Sequence, residues 1–425
     1  MSVGSGLSLR LSLVRRYSPL TWVLTSTLAG CVSGWVLTLT MPWFVFATTG
    51  SAGHAGIVVF AELAPFVVAR FLAGPVVDRL GLRRTSWMAG VVETSSVVLI
   101  AVLVALDMLS FPMLLALVAS MGAANGAGLL AKGFLAPAAA KYIGVDEGRA
   151  ISLSSATLTV GRVFGPSLGA LLAARQPVVG LAVVAVLAAV SASIIGLALP
   201  HGMEPGPAQM DEGEERQGYW RSLGEGVGYF RRDSLLVRLY VMLSLMAFLV
   251  APMTSVFLPV WAKETTAGPG AIGALISTGA FASFLGSVVA VSVIERVRPS
   301  VILAVGFLLV VPQLLTLALG APMWLVMVAW AVAGFVGAFP DPVIGKITHL
   351  WPSEEFRSRV RALGGAIATL GSALGSLVAG VFVDRFGLAV PLIAASVLYL
   401  LVTQGTVFRK DMRRLTPKIR EDRPE

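Results

Sequence analysis

Residues Gly74 to Arg84 read GPVVDRLGLRR, and they lie between two long apolar runs, 54–77 and 85–106. The stretch packs one acid, three arginines and two glycines into a short turn. A polar, glycine-bearing turn of this kind stops an apolar helix and starts the next one antiparallel to it. Between two membrane-spanning segments it would mark a membrane surface. Its weight as a fold signal therefore depends on what flanks it.

The flanks are apolar along the whole chain. Of 425 residues, 56% are hydrophobic and 13% charged. Soluble domains carry about 25% charged residues. Mean hydropathy is +0.84. Twelve apolar segments can be marked: 19–46, 54–77, 85–106, 110–133, 150–173, 177–199, 235–261, 270–294, 300–319, 322–345, 362–383 and 387–407. Each is long enough to cross about 30 Å of hydrocarbon with some tilt. Barrel strands would be about 10 residues of strict alternation, a pattern not seen here. The expected class is an all-α polytopic membrane protein. Arg15, Arg16 and the LAGC stretch ending at Cys31 imitate a lipoprotein leader, but the apolar run continues to Val45. It reads as an uncleaved first segment. One cysteine excludes an intrachain disulfide, and three scattered histidines (His54, His201, His349) argue against a histidine-rich metal site.

Orientation follows from the basic residues. The odd-numbered joins hold only Arg175, Lys263 and Arg385, and Arg70, Lys132, Arg162 and Arg238 lie inside segments. Every other Lys and Arg is in an even-numbered join or a terminus, so both termini are expected to be cytoplasmic. The net charge of +9 thus belongs to a membrane surface and not to nucleic acid. It includes the tail Arg409, Lys410, Arg413, Arg414, Lys418, Arg420 and Arg423. The widest gap, 200–234, divides an N-terminal six-helix bundle (1–199) from a C-terminal bundle with its basic tail (235–425). Within it, 219–239 reads as an amphipathic interfacial helix. The halves repeat: Gly161 and Gly165 fall on Gly371 and Gly375 at an offset of 210, and Asp78-Arg79 on Glu295-Arg296 at 217. A duplicated six-helix unit is the mark of a transporter with a midplane site between two bundles.

GPVVDRLGLRR closely resembles the cytoplasmic loop signature of the major facilitator superfamily, G-x-x-x-D-R-x-G-R-R. Gly74, Asp78, Arg79, Gly81 and Arg83 fit it, Leu82 replaces a frequent Arg, and Arg84 adds a further cation. The resemblance implies the major facilitator fold, and a latch in which Asp78 meets the start of the eleventh helix near Ser358 to Ala362 in one transport state. GRVFGPSLGA, 161–170, resembles the antiporter signature G-x-x-x-G-P-x-x-G-G through Gly161, Arg162, Gly165, Pro166 and Gly169, with Ala170 in place of the last Gly. Generic small-residue packing explains the same spacing. LAGCVSGWVLTLTMPWFVFATTGSAGHAG and YFRRDSLLVRL are similar to the bacterial macrolide and enterobactin exporter branch. The fourth-segment Arg signature of many drug–proton antiporters is absent from MGAANGAGLLAKG.

Ionisable residues within spans point to function. At about 1.5 Å per residue, Glu62 lies about 24 Å and Arg162 about 20 Å from the cytoplasmic face. Arg70 and Glu93 lie at about 12 and 14 Å, which predicts a structural ion pair between them. Glu62 and Arg162 are the expected cavity residues, with Glu62 either a proton carrier or a hydrogen-bonded structural carboxyl. Asp341, between Pro340 and Pro342, reads either as a second proton or cation site or as a helix-end cap. Asn125 and Trp35 are candidate substrate contacts. Lys132 and Arg238 are expected to snorkel.

These features imply a secondary active transporter, a proton-coupled exporter of a hydrophobic or amphipathic small molecule working by alternating access. The alternatives are a lipid or lysophospholipid flippase of the same fold and a transport-dead membrane scaffold or receptor. No G-x-x-x-x-G-K-[ST] loop or hydrolytic constellation occurs, so neither ATP nor enzyme activity is expected. An ion gradient, of protons, would drive it without a cofactor. The expected partners are its substrate and the bilayer. The chain is expected to be monomeric, in a bacterial-type inner membrane.

Overall fold

The computed structural model describes residues 3–175, 177–200, 202–203, 221, 224–225, 227–265, 267–293, 296–353 and 356–407. All the regular structure among them is helical. In hydrocarbon each backbone N–H and C=O must be satisfied within its own segment, and a helix does this. The first half holds α1 (Val3–Thr49), α2 (Ala52–Leu80), α3 (Leu82–Ala105), α4 (Phe111–Ile143), α5 (Glu147–Arg175) and α6 (Pro177–Ser193), the last prolonged by a π turn, Ile194–Ala198. The second half holds α7 (Ser234–Val250), a π turn (Met253–Phe257), α8 (Leu258–Glu264), α9 (Gly268–Val293), α10 (Pro299–Leu308) and α11 (Val311–Ala318). These are followed by α12 (Met323–Gly337), α13 (Pro340–Leu350), α14 (Arg357–Phe386) and α15 (Ala389–Val407).

Among the described residues, ten helices are long and apolar enough to cross a membrane by length and composition. The two other expected segments are also helical: α5, and α15, whose Ala389–Gly405 is a shorter apolar helix. The chain is a multi-pass membrane protein. The tail 408–425, most of the interfacial stretch (including Tyr219, Trp220 and Leu223) and Glu295 lie outside the described residues.

Contacts define two compact units, Met1–Thr40 with Ala61–Tyr219, and Met41–Phe60 with Trp220–Glu425. The expected division at 200–234 follows chain order. The units differ from it in 41–60, the end of α1 and the start of α2, which pack with the second half of the sequence.

In the first unit, α3 packs on α4 and α6, and a core of Leu20, Val23, Leu135, Ile143, Ile195 and Leu199 joins one end of the bundle. Glycines set the helix spacing. A methyl group at Gly161 would stand 2.6 Å from Cys31 Sγ, one at Gly165 2.6 Å from Trp35 Cβ, and one at Gly169 2.9 Å from Val36 Cα. The stripe therefore seats α5 directly on α1, with Pro166 held inside an unbroken helix. The second unit repeats this: Gly371 and Gly375 of α14 face the backbone of Ser244 and Phe248 on α7. The sequence repeat is thus a repeat of packing.

Candidate functional site

The polar residues inside the first unit converge on Glu93 of α3. Its side chain is only 5% exposed. Ser33 of α1 donates to Glu93 Oε1 at 3.3 Å, and Asn125 of α4 lies beside the same carboxyl. Lys132, two turns further along α4, is the neighbouring cation, and Glu62 of α2 is close enough to interact with Glu93 electrostatically. The backbone of Glu62 is fixed by Gly122 of α4, where no side chain could fit.

Lys132 does not snorkel. Helical side chains lean toward the helix N-terminus, here away from the Ile143 end. The ammonium therefore reaches along α4 into the bundle, where a methyl on Gly30 of α1 would stand 3.3 Å from Nζ and 3.2 Å from Ser191 Oγ. Gly30 and Ser33 share one turn of α1, so the ammonium and the Glu93 carboxylate lie against the same short face. Ser191 and Ser26 bond across α6 and α1 at 3.0 Å, adding a polar seam beside the site.

The expected Arg70–Glu93 pair is not formed. Arg70 is exposed, and its guanidinium sits 5.8 Å from the Phe66 ring centre, one turn back on its own helix. Equal depth on consecutive helices does not fix rotation, because each residue turns the side chain by about 100°. Arg162 is exposed on α5, close enough to Cys31 of α1 to interact with it electrostatically. It is not brought to Glu62, whose charged neighbour is Glu93. Trp35 is half-buried beneath Gly165. Asp341 belongs to the second unit. The tenth segment breaks after Gly337 and restarts at Pro340, which puts Asp341, exposed, in the first turn of α13.

The opening motif resolves into separate jobs. Gly81 is the whole join between α2 and α3, with φ 82° and ψ 160°, a conformation open essentially to glycine alone. Arg83 turns inward. Its Nε donates to Ile195 O at 3.0 Å and its Nη2 to Gly196 O, pinning α3 to the π turn that ends α6. Asp78, Arg79 and Arg84 are exposed, and Gly74 lies inside α2.

A family model described as Major Facilitator Superfamily matches residues 23–265 and 241–424. The chain belongs to the Major Facilitator Superfamily. Among curated relatives, it is 28% identical over 405 residues to "Multidrug efflux pump Tap" of Mycolicibacterium fortuitum, covering 93% of this chain and 97% of that one. It is 27% identical over 424 residues to the protein of the same name from Mycobacterium tuberculosis, covering 95% and 96%. Two solved structures share the fold at 15% identity. A point mutant of the nucleoside transporter NupG superposes with TM-score 0.74, covering 92% of this chain and 100% of that one. A bacterial homolog to the human lysosomal transporter Spinster superposes with TM-score 0.73, covering 95% and 98%. Membership of this family indicates a transporter and not an enzyme.

Sequence reasoning sends Lys132 to the surface and passes over Ser33 and Gly30. A signal for Lys132 exists: a lysine eleven residues before the end of a long helix points toward that helix's N-terminus, not toward the near surface. Ser33 carries no signal, because its role depends on which face of α1 meets α3.

Proposed function

We propose that this chain is a proton-driven exporter of hydrophobic or amphipathic small molecules of the multidrug type, working by alternating access. The Glu62–Glu93–Lys132–Asn125 cluster carries the reading. Two carboxyls and one ammonium inside a helical bundle are balanced in charge when one carboxyl holds a proton. Glu62 is the exchanging group, because Glu93 is enclosed by Ser33, Asn125 and Lys132 while Glu62 is only half-buried. Drug export is supported by the curated relatives, each of them named a multidrug efflux pump. The charge distribution supports a cell-membrane location with both termini cytoplasmic. In this reading the chain works as a monomer and draws on the proton gradient without a bound cofactor. Asp78, exposed at the end of α2, is the latch for the state in which the cytoplasmic side is closed.

The test is efflux of a fluorescent cationic or neutral amphiphile in inverted vesicles with an imposed pH gradient. Wild type should accumulate substrate and Glu62→Gln should not. Retention of pH-driven uptake by Glu62→Gln would overturn the assignment of the proton. Dependence on ATP in place of the gradient would overturn the energy source. Movement of labelled lysophospholipid without drug movement would favour the flippase reading.

A further inference from the structure

Two five-residue stretches of this chain are near copies of each other in sequence and in shape. Val77-Asp78-Arg79-Leu80-Gly81 closes α2, and Val383-Asp384-Arg385-Phe386-Gly387 closes α14. In the first, Gly81 N donates to Val77 O at 2.8 Å. In the second, Gly387 N donates to Val383 O at 2.9 Å. Gly387 has φ 73° and ψ 178°, close to the φ 82° and ψ 160° of Gly81. Both glycines thus occupy a region that a side chain forbids.

The second copy is engaged. Asp384 Oδ2 accepts from Ser51 Oγ at 2.6 Å and from Gly53 N at 2.9 Å, while Oδ1 accepts from Ala52 N at 2.8 Å. These are the free donors at the start of α2, which a helix cannot satisfy by itself. Ser51 Oγ also accepts from His54 N at 3.2 Å, so serine and aspartate cap the same turn together. The helices touch closely here. Gly380 faces the backbone of Ala52, and Gly56 faces the backbone of Ser376. A carboxylate on the unpaired N–H groups of a helix start also gains from the helix dipole. All of this lies within the second compact unit.

We infer that Asp384 is a second latch, the counterpart of Asp78, which holds the start of α2 to the end of α14 and must release for that end of the molecule to open. The pairing with Asp78 rests on the latch role proposed for that residue. The same Asp-Arg-x-Gly ending serves both because it places a carboxylate at a helix end and turns the chain away immediately after it. Neither Arg175 nor Lys263, the other basic residues at odd-numbered joins, is preceded by such an acid.

The experiment measures distances between spin labels at Thr49 and Arg385 by pulsed electron resonance, in full-length protein in nanodiscs, alongside thermal stability. Asp384→Ala removes both acceptor oxygens and should raise the population with separated labels about five-fold, the size expected for loss of one helix cap. Gly53→Ala leaves Asp384 in place but sets a methyl 2.8 Å from its Oδ2, and should act in the same direction. Unchanged label distances in both Asp384→Ala and Gly53→Ala would overturn the inference, whatever happens to stability. The readout does not use the proton gradient, so a failure here is distinct from a failure of the export assignment at Glu62.

Discussion

Arg83 donates from Nε to the carbonyl of Ile195 at 3.0 Å, across 112 residues of chain. With its second bond to Gly196 O it fills two carbonyls freed where α6 loosens into the π turn Ile194–Ala198. A signature loop usually read as a single functional unit is therefore divided. Arg83 holds the first unit together, and Asp78 and Arg84 are left exposed.

That division predicts opposite phenotypes within one motif. Arg83→Ala strands two carbonyls and should lower stability by about 1–3 kcal/mol. Asp78→Asn, at an exposed position, should leave the unfolding temperature within a degree or two of wild type, a small surface effect, yet change transport rate. Thermal unfolding in detergent and efflux in vesicles, run on both variants, separate the roles. A stable Arg83→Ala would show that the two bonds add nothing.

The α1–α5 contact predicts a coupled pair. Gly161→Ala forces a methyl to 2.6 Å from Cys31 Sγ, an overpacking that costs about 1–3 kcal/mol. Removing the sulfur with Cys31→Ala should recover part of that loss, because the remaining contact, to Cys31 Cβ, is 2.9 Å. The measurement is a double-mutant cycle on thermal stability. Additive losses would mean that α5 shifts as a body and that Cys31 does not set the spacing.

Much of this fold is legible in the sequence because lipid allows so few solutions. A run of about 20 apolar residues has to be a helix, and the turn at Gly81 and the Gly161–Gly371 correspondence follow from composition and spacing. The site is less legible. Depth along a helix can be counted, which places Glu62 and Glu93 inside the bundle. Rotation cannot be counted the same way. Depth alone therefore pairs Arg70 with Glu93 although it lies over Phe66, and sends Lys132 to the surface although it reaches Gly30. Asp384 stands at a helix end with no sign in its neighbours that the start of α2, 332 residues away, supplies its donors.

Charge balance around Glu93 gives a third prediction. Lys132→Met removes the neighbouring cation and leaves a carboxylate enclosed by Ser33 and Asn125, so stability should fall by about 1–3 kcal/mol. Adding Glu93→Gln removes the stranded charge and should restore most of the loss. Replacing both partners of a buried charged pair is often close to neutral, whereas removing one is not. If the double variant is less stable than Lys132→Met alone, the two residues do not balance one another.

Asp341 gives the last. It stands in the first turn of α13, where a carboxylate favours the helix dipole by about 0.3–1 kcal/mol. Pro340 and Pro342 bring no N–H to that turn, which lowers the number of donors needing a cap. The helix-end role suits an exposed carboxylate in the first turn of a helix. Asp341→Asn and Asp341→Ser should both lower stability by no more than about 1 kcal/mol, and both should keep pH-driven export in inverted vesicles. Loss of export in both variants, with unfolding temperatures unchanged, would return Asp341 to the coupling pathway beside Glu62.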